Sequence, residues 1–173
     1  MVTRVQPIVT LEPRTAAHAE EMFAVLAEPA LYEFIEEDPP ASIEALRQRF
    51  ARSESRRSPD GSQRWLNWVV RDEALSVAGQ VQATVAADLQ THIAYVFGSA
   101  FWGRGIAAAA VTQMLDIVAA EFGVSTFFVV AERNNGRSVR LAERLGFAEV
   151  APEFAAQHCT APHDVLLQKV VRR

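Results

Sequence analysis

At 173 residues, half of them hydrophobic, the chain is long enough to bury one core and too short to suggest several domains. A formal charge of −4, from 21 acidic against 17 basic side chains, excludes the basic excess that a nucleic-acid-binding surface wants. One cysteine, Cys159, excludes an intrachain disulfide framework and a cysteine metal cluster. The Met-Val-Thr-Arg-Val start carries no apolar signal core, and no stretch is long and apolar enough to span a membrane. The expectation is a single soluble, cytoplasmic domain over 1–173 that engages neither nucleic acid nor membrane.

Val5 to Leu11 reads as a first strand, ended by Pro13. Thr15 then caps a helix over Ala16 to Ala27, with Ala19, Met22, Phe23 and Leu26 on one face, and Pro29 stops it. Leu31 to Asp38 is a short helix or turn, acidic at Glu36-Glu37-Asp38 and broken by Pro39-Pro40. Ser42 caps a further helix on which Ile43, Leu46 and Phe50 align. Arg52 to Gln63, rich in Arg, Ser, Asp and Gly, is a surface loop. Its arginines are either simply solvated or able to draw in a phosphate-bearing ligand. Trp65 to Val70 and Val77 to Ala86 form two antiparallel strands across a polar turn at Asp72-Glu73. Gln80, Gln82 and Thr84 alternate there with Val81, Ala83 and Val85, and Asn67 interrupts the first strand. That polar row is either the solvated face of a sheet or the lining of a cleft.

The organising stretch follows. Thr91 to Phe97 is a buried strand, β-branched and aromatic. It leads through Gly103-Arg104-Gly105 into a helix with apolar side chains at Ile106, Ala110, Met114, Val118 and Phe122. Bare glycines let a ligand approach the backbone, and the first turn of a helix presents unpaired N–H groups at the positive end of its dipole. Such a junction suits phosphate or pyrophosphate, although two glycines one residue apart, taken alone, more often make only a tight turn. No third glycine completes G-x-G-x-x-G, and no Gly-Lys-Ser/Thr marks a P-loop. A second strand from Thr126 ends in an Asn134-Asn135 turn and enters a second helix, Val139 to Phe147, closed by Gly146. Strand, helix, strand, helix implies parallel strands with a right-handed crossover. Ala148 to Phe154 and Val165 to Val171 form a last hairpin, across a loop carrying His158, Cys159 and His163. No internal repeat or linker divides the chain.

Trp102-Gly103-Arg104-Gly105-Ile106-Ala107, together with Asn135-x-x-Ser138 and a helix ending Leu145-Gly146-Phe147, resembles the GNAT superfamily of acetyl-CoA-dependent N-acetyltransferases. Within it the chain is similar to the RimJ/RimL-like branch, which includes the ribosomal-protein N-terminal acetyltransferases. The likeness runs over about Thr91 to Phe147. Laid on the superfamily's glycine motif, Gln/Arg-x-x-Gly-x-Gly/Ala, Gly105 and Ala107 fill the last two positions. Trp102 stands where Gln or Arg usually does, as is common in that branch. The resemblance implies one α/β (α+β) domain with a mixed central sheet of about six to seven strands and helices on both faces. It also implies two parallel strands that splay apart at the cofactor site.

Acetyl transfer to an amine requires that the thioester be held beside the amine, that the amine lose a proton, and that the leaving thiolate be stabilised. The implied fold lets pantetheine pair with exposed strand backbone at Val96, Phe97 and Gly98. The pyrophosphate then falls on the amides of Gly103, Arg104, Gly105, Ile106, Ala107 and Ala108, with charge from Arg104. The family places a cofactor contact at Asn135. Many members carry a tyrosine acid four positions beyond the serine; here that position is Ala142, and Ser138 is the expected donor to the thiolate. Asn135 and Ser138 equally make an ordinary N-cap and first turn. An amine of pKa about 8 to 10 needs only modest help, often from a carboxylate through water. Glu37, in the acidic loop that borders the acceptor site in this fold, is the base put forward, with Asp88 and His92 as others. His158 beside Cys159 is no persuasive nucleophilic pair, since neighbours on a strand or loop point apart. No metal is expected.

The expected reaction is transfer from acetyl-CoA to a primary amine, with a protein or peptide N-terminal α-amine ranked first by branch resemblance. A small-molecule amine (amino acid, polyamine or antibiotic) is the alternative acceptor. A non-catalytic acyl-CoA-binding module and a phosphate-binding α/β protein of another fold are the alternatives to an enzyme, the last opposed by the antiparallel segments Trp65 to Ala86.

Overall fold

The computed structural model describes residues 6–159 and 161–171. Strand β1 (Thr10–Pro13) is followed by a 3-10 turn (Ala16–His18) running into helix α1 (Ala19–Leu26), then by α2 (Ile43–Ala51). Next come β2 (Arg64–Arg71), β3 (Val77–Val85), β4 (Thr91–Phe97), α3 (Ile106–Phe122), β5 (Thr126–Glu132) and α4 (Gly136–Arg144). The chain ends with β6 (Ala148–Glu149), a single helical turn α5 (Pro152–Ala155) and β7 (Asp164–Val170).

The seven strands form one mixed sheet in the order β1-β2-β3-β4-β5-β7-β6. Among the described residues only β4 and β5 run parallel, joined through α3 as a crossover. Apolar stripes decide which helix covers which face. Ile106, Ala110, Val111, Met114, Leu115 and Val118 of α3 are buried with Ala142 of α4 on one face, against Val81, Ala83, Ile93, Phe127 and Val129. Ala19, Met22 and Leu26 of α1 pack with Leu46 and Phe50 of α2 on the other, against Val69. The Ser42 hydroxyl accepts from the Ala45 amide at 3.0 Å, so the capping residue read from sequence starts α2.

Three local expectations shift. The first strand begins at Thr10, not Val5, which lies outside the described residues, and it includes Pro13. Proline is tolerated there because β1 is the edge strand and its last residue needs no further ladder bond. The first helix opens as a 3-10 turn, its Thr15 amide donating to His18 Nδ1 at 3.0 Å. The last hairpin is much shorter than Ala148 to Phe154: β6 stops at Glu149, and Pro152 at the first position of α5 turns Phe154 into a helical residue.

Candidate active site

Strands β4 and β5 pair only through Thr91–Phe127, His92–Phe128 and Ile93–Val129. Beyond Ile93 each is held by its other neighbour: β4 stays paired with β3 up to Phe97–Gly79, and β5 stays paired with β7 to Glu132–Asp164. The two parallel strands therefore splay. Backbone direction alternates along a strand, and the Gly98 amide is bonded to the Ala78 carbonyl on β3 at 3.0 Å. Val96 shares that direction, whereas the amides of Tyr95 and Phe97 face the gap. The Phe97 carbonyl is already engaged, accepting from Trp102 Nε1 at 2.8 Å. Of the three backbone partners expected for pantetheine, Phe97 has its amide in the gap. Val96 and Gly98 have theirs turned to β3.

A cavity of about 620 Å³ opens at this gap. Its wall runs from Tyr95, Val96 and Phe97 through Trp102 to Gly105 and Ala107 to Ala109, and across to Asn135, Ser138 and Leu141. Phe34 and Ile35, from the loop after α1, close another side. Gly103 and Gly105 adopt φ of +72° and +82°, which side chains disfavour. A Cβ on Gly103 would meet nothing within 4 Å, so that part of the turn is open. Gly105 caps α3 without any side-chain hydrogen bond, which leaves the first-turn amides to a ligand. Ile106 itself is buried at 2% exposure, and its side chain does not line the cavity.

Charge follows the same geometry. Arg104, Arg137 and Arg144 line the cavity of a chain that is acidic overall. Arg104 lies 3.7 Å from Asp72, so its charge is partly matched already. Arg137 stacks on the Trp102 ring at 3.5 Å and, like Arg144, has no carboxylate within ion-pair distance among the described residues. Trp102 thus does two jobs that its sequence position did not reveal: it anchors the end of β4 and holds a guanidinium flat at the cavity wall.

Asn135 is the N-cap of α4, its Oδ1 accepting from the Ser138 amide at 3.1 Å. Asn135 and Ser138 both line the cavity, so the capping role does not withdraw either from a ligand there. Ala142 is fully buried. A phenol does reach Ser138, but from another element: Tyr95 of β4 lies 3.1 Å from both the Ser138 hydroxyl and its carbonyl. Burial pushes the Tyr95 phenol above its usual range, opposed by the Ser138 hydrogen bond. Strand alternation signals that Tyr95 faces the α3 and α4 side, but no sequence spacing shows which residue it meets.

The proposed bases are scattered. Glu37 is exposed on the loop beside the cavity, 3.9 Å from Arg49 of α2, and does not line the cavity wall. Asp88 sits in the turn before β4, bonded to the Gln90 amide, at the far end of a strand of about 20 Å. His92 faces away from Tyr95 and stacks with Phe128 and His158, at 5.4 and 5.5 Å between ring centroids. Cys159 is a free thiol pushed up by burial. Among the described residues no group of three or more His, Cys, Asp or Glu is placed to hold a metal ion. No helix among the described residues is long and apolar enough to cross a membrane.

A splayed parallel pair, a bare glycine turn at a helix N-terminus and a cationic cavity define an α/β domain with a site for an anionic ligand. A family model described as an acetyltransferase (GNAT) domain matches residues 9–148, and the chain belongs to that family. The family assigns acetyl-CoA as co-substrate. The open turn and unpaired amides fit its pyrophosphate. A comparison with curated proteins finds no significant match. Solved structures of the same fold include a ribosomal-protein-S5-alanine acetyltransferase from Vibrio fischeri, with a TM-score of 0.75, 17% identity, and 94% of this chain and 92% of that one covered. A spermidine N-acetyltransferase from Vibrio cholerae in complex with CoA and spermine gives 0.72 and 15%, with 94% of each chain covered. An aminoglycoside acetyltransferase in complex with coenzyme A gives 0.74 and 14%, with 94% and 95% covered. At these identities the likeness is one of fold.

Proposed function

We propose that the chain transfers the acetyl group of acetyl-CoA to a primary amine, with a protein or peptide N-terminal α-amine as acceptor. The observation that carries this reading is the continuity of one cavity from the Gly103–Gly105 turn to the Ser138 hydroxyl. Residues of the turn would hold the pyrophosphate, and the same cavity reaches the hydroxyl beside which the thioester would have to lie. The choice of a peptide acceptor is supported by the RimJ/RimL-like features of the sequence, Trp102 above all.

When bound, acetyl-CoA supplies a thioester carbonyl ready for attack. The chain supplies the rest. The first-turn amides of α3, with Arg137 and Arg144 nearby, hold the phosphates. The free amide of Phe97 pairs with the pantetheine arm as an added strand would. Ser138 donates a hydrogen bond to the departing sulfur. Glu37, reached through water, takes the proton of the incoming ammonium, and the acidic stretch Glu36 to Asp38 attracts that cation to the rim.

Thiol release from acetyl-CoA, measured with a panel of peptides, polyamines and amino sugars, tests the reading. Turnover should be fastest with a peptide bearing a free N-terminus and vanish when that N-terminus is blocked. Preference for a polyamine or amino sugar would move the acceptor to the small-molecule class. CoA binding without turnover on any amine would make the chain a binding module.

A further inference from the structure

The Ser138 hydroxyl does not stand alone at the cavity wall. Tyr95 and Ser138 are 43 residues apart and meet only because β4 and α4 flank the same gap. The phenol oxygen is equidistant, 3.1 Å, from the Ser138 Oγ and the Ser138 carbonyl oxygen. A phenol has one proton to donate, and the carbonyl can only accept. Two arrangements of hydrogens therefore fit the same heavy atoms. In one, Tyr95 donates to the carbonyl and the serine hydroxyl donates back to the phenol oxygen. In the other, Tyr95 donates to Oγ, and the serine proton is free to point into the cavity.

We propose that Tyr95 is a positioning residue for acetyl transfer: it holds the Ser138 hydroxyl and, by switching its own donation from the carbonyl to Oγ, aims the serine proton at the leaving sulfur. The inference rests on the acetyltransferase reading above and goes beyond it. No side chain need move for the switch, so the site meets negative charge without reorganising. Hydrogen bonds in series also polarise one another, and a serine that accepts from a phenol is a better donor. The atoms balance simply. The ammonium first gives one proton to base or water; a carbon–nitrogen bond then forms, the acyl carbon–sulfur bond breaks with its electron pair left on sulfur, and the second nitrogen proton passes to water as the amide forms. Neither Tyr95 nor Ser138 gives up its proton. A thiolate whose thiol has a pKa of about 8.5 is too weak a base to deprotonate a phenol of ordinary pKa about 10, let alone a buried one. The thiolate leaves hydrogen-bonded and takes its proton from solvent. The structure thus puts a phenol beside the serine from the strand side of the gap, while the position four residues further along α4 is the buried methyl of Ala142.

A test independent of turnover compares, by calorimetry, the affinity for CoA with that for desulfo-CoA across about pH 6 to 9, in wild type, Tyr95→Phe, Ser138→Ala and the double variant. Lowering the bound thiol's pKa by about one unit makes the wild-type preference for CoA grow about tenfold over that range. Tyr95→Phe keeps the ring and should cut the growth to about threefold, Ser138→Ala should flatten it, and the double variant should match Ser138→Ala. In turnover, Tyr95→Phe should lower kcat about tenfold with KM for acetyl-CoA within about twofold, the pattern of an interaction made late in the reaction. A pH response in Tyr95→Phe equal to wild type, or a further loss when Tyr95→Phe is added to Ser138→Ala, would overturn the proposal. CoA bound with the wild-type pH response but no turnover on any amine would reject the acetyltransferase reading and leave the Tyr95–Ser138 pair standing. Failure of every form to bind CoA would overturn both.

Discussion

Gly105 carries two requirements at one position. Its φ of +82° sits in the left-handed region, where a side chain costs about 1–2 kcal/mol. Its Cβ direction points at Pro7, 3.4 Å away, and its neighbours on α3 offer their amides to the ligand. Gly105→Glu adds strain, bulk and a negative charge where a doubly negative linkage must settle. Calorimetry with CoA should show an affinity loss of at least about a hundredfold, some 2.7 kcal/mol, while circular dichroism keeps its native shape. Retained affinity would mean that the phosphates lie elsewhere. The turn at Gly105 was legible in sequence, because closely spaced glycines between a strand and a helix mark a backbone that needs positive φ, whatever ligand it takes. Tyr95 was not, although it lies on the same strand. Its partner is fixed by the crossing of β4 and α4, and that crossing is a property of the whole sheet.

At the level of single elements, β3 is tied to β4 by an unusually close approach at Gly79. A Cβ there would lie 2.1 Å from the Val96 carbonyl oxygen and 2.8 Å from the Phe97 Cα. Both are backbone atoms of the strand that forms the cavity wall, so neither can swing away. Gly79→Ala gains about 0.4–1 kcal/mol from a stiffer unfolded chain. Against that stands an overpacking cost at the upper end of about 1–3 kcal/mol, because the neighbour is backbone. The clash wins. Urea denaturation should show a net loss of about 2 kcal/mol at unchanged m, and a variant as stable as wild type would refute the close approach. Elements with a strong period or a clear cap (β4, α3, the Ser42 cap of α2) were readable from sequence. Ala148 to Phe154 was not: Pro152, which cannot extend a ladder, is equally suited to the first position of a helical turn, and in that turn Phe154 packs on Phe128 and His158, contacts that no sequence spacing shows. Likewise the splay of β4 from β5, expected from the family resemblance, has no local sequence signal; it results from two neighbours pulling the strands to opposite sides.

Viewed as a whole, the molecule is two half-sheets, β1 to β4 and β5-β7-β6, joined by three parallel residue pairs. His92 and Phe128 are the middle pair, and their rings stack on the face away from α3. His158 lies against both, and Phe154 covers Phe128 and His158. The seam beneath the cavity is therefore roofed by four rings, two of them titratable. Burial, and secondarily the nearby His158, holds His92 below its ordinary pKa of about 6.5. The unfolded chain then binds more protons than the folded one as pH falls through that value. The stability tied to neutral His92 is fully present above about pH 6.5, declines below it, and levels off once the folded-state pKa is passed. Other depressed groups act lower: Glu12, where an opposing burial effect is outweighed by hydrogen bonds from Arg71 and His18 together, and Glu21, hydrogen-bonded to Arg71, lose their contribution only below the carboxylate range near 4.5. Melting temperature measured between about pH 7.5 and 5 should fall with acidification, and His92→Phe, which keeps a ring in the stack, should flatten most of that slope. The carboxylate-driven loss below about pH 4.5 should persist in the variant. If His92→Phe instead melts with the wild-type slope between about pH 5 and 6.5, the titrating group lies elsewhere and the seam does not sense protons.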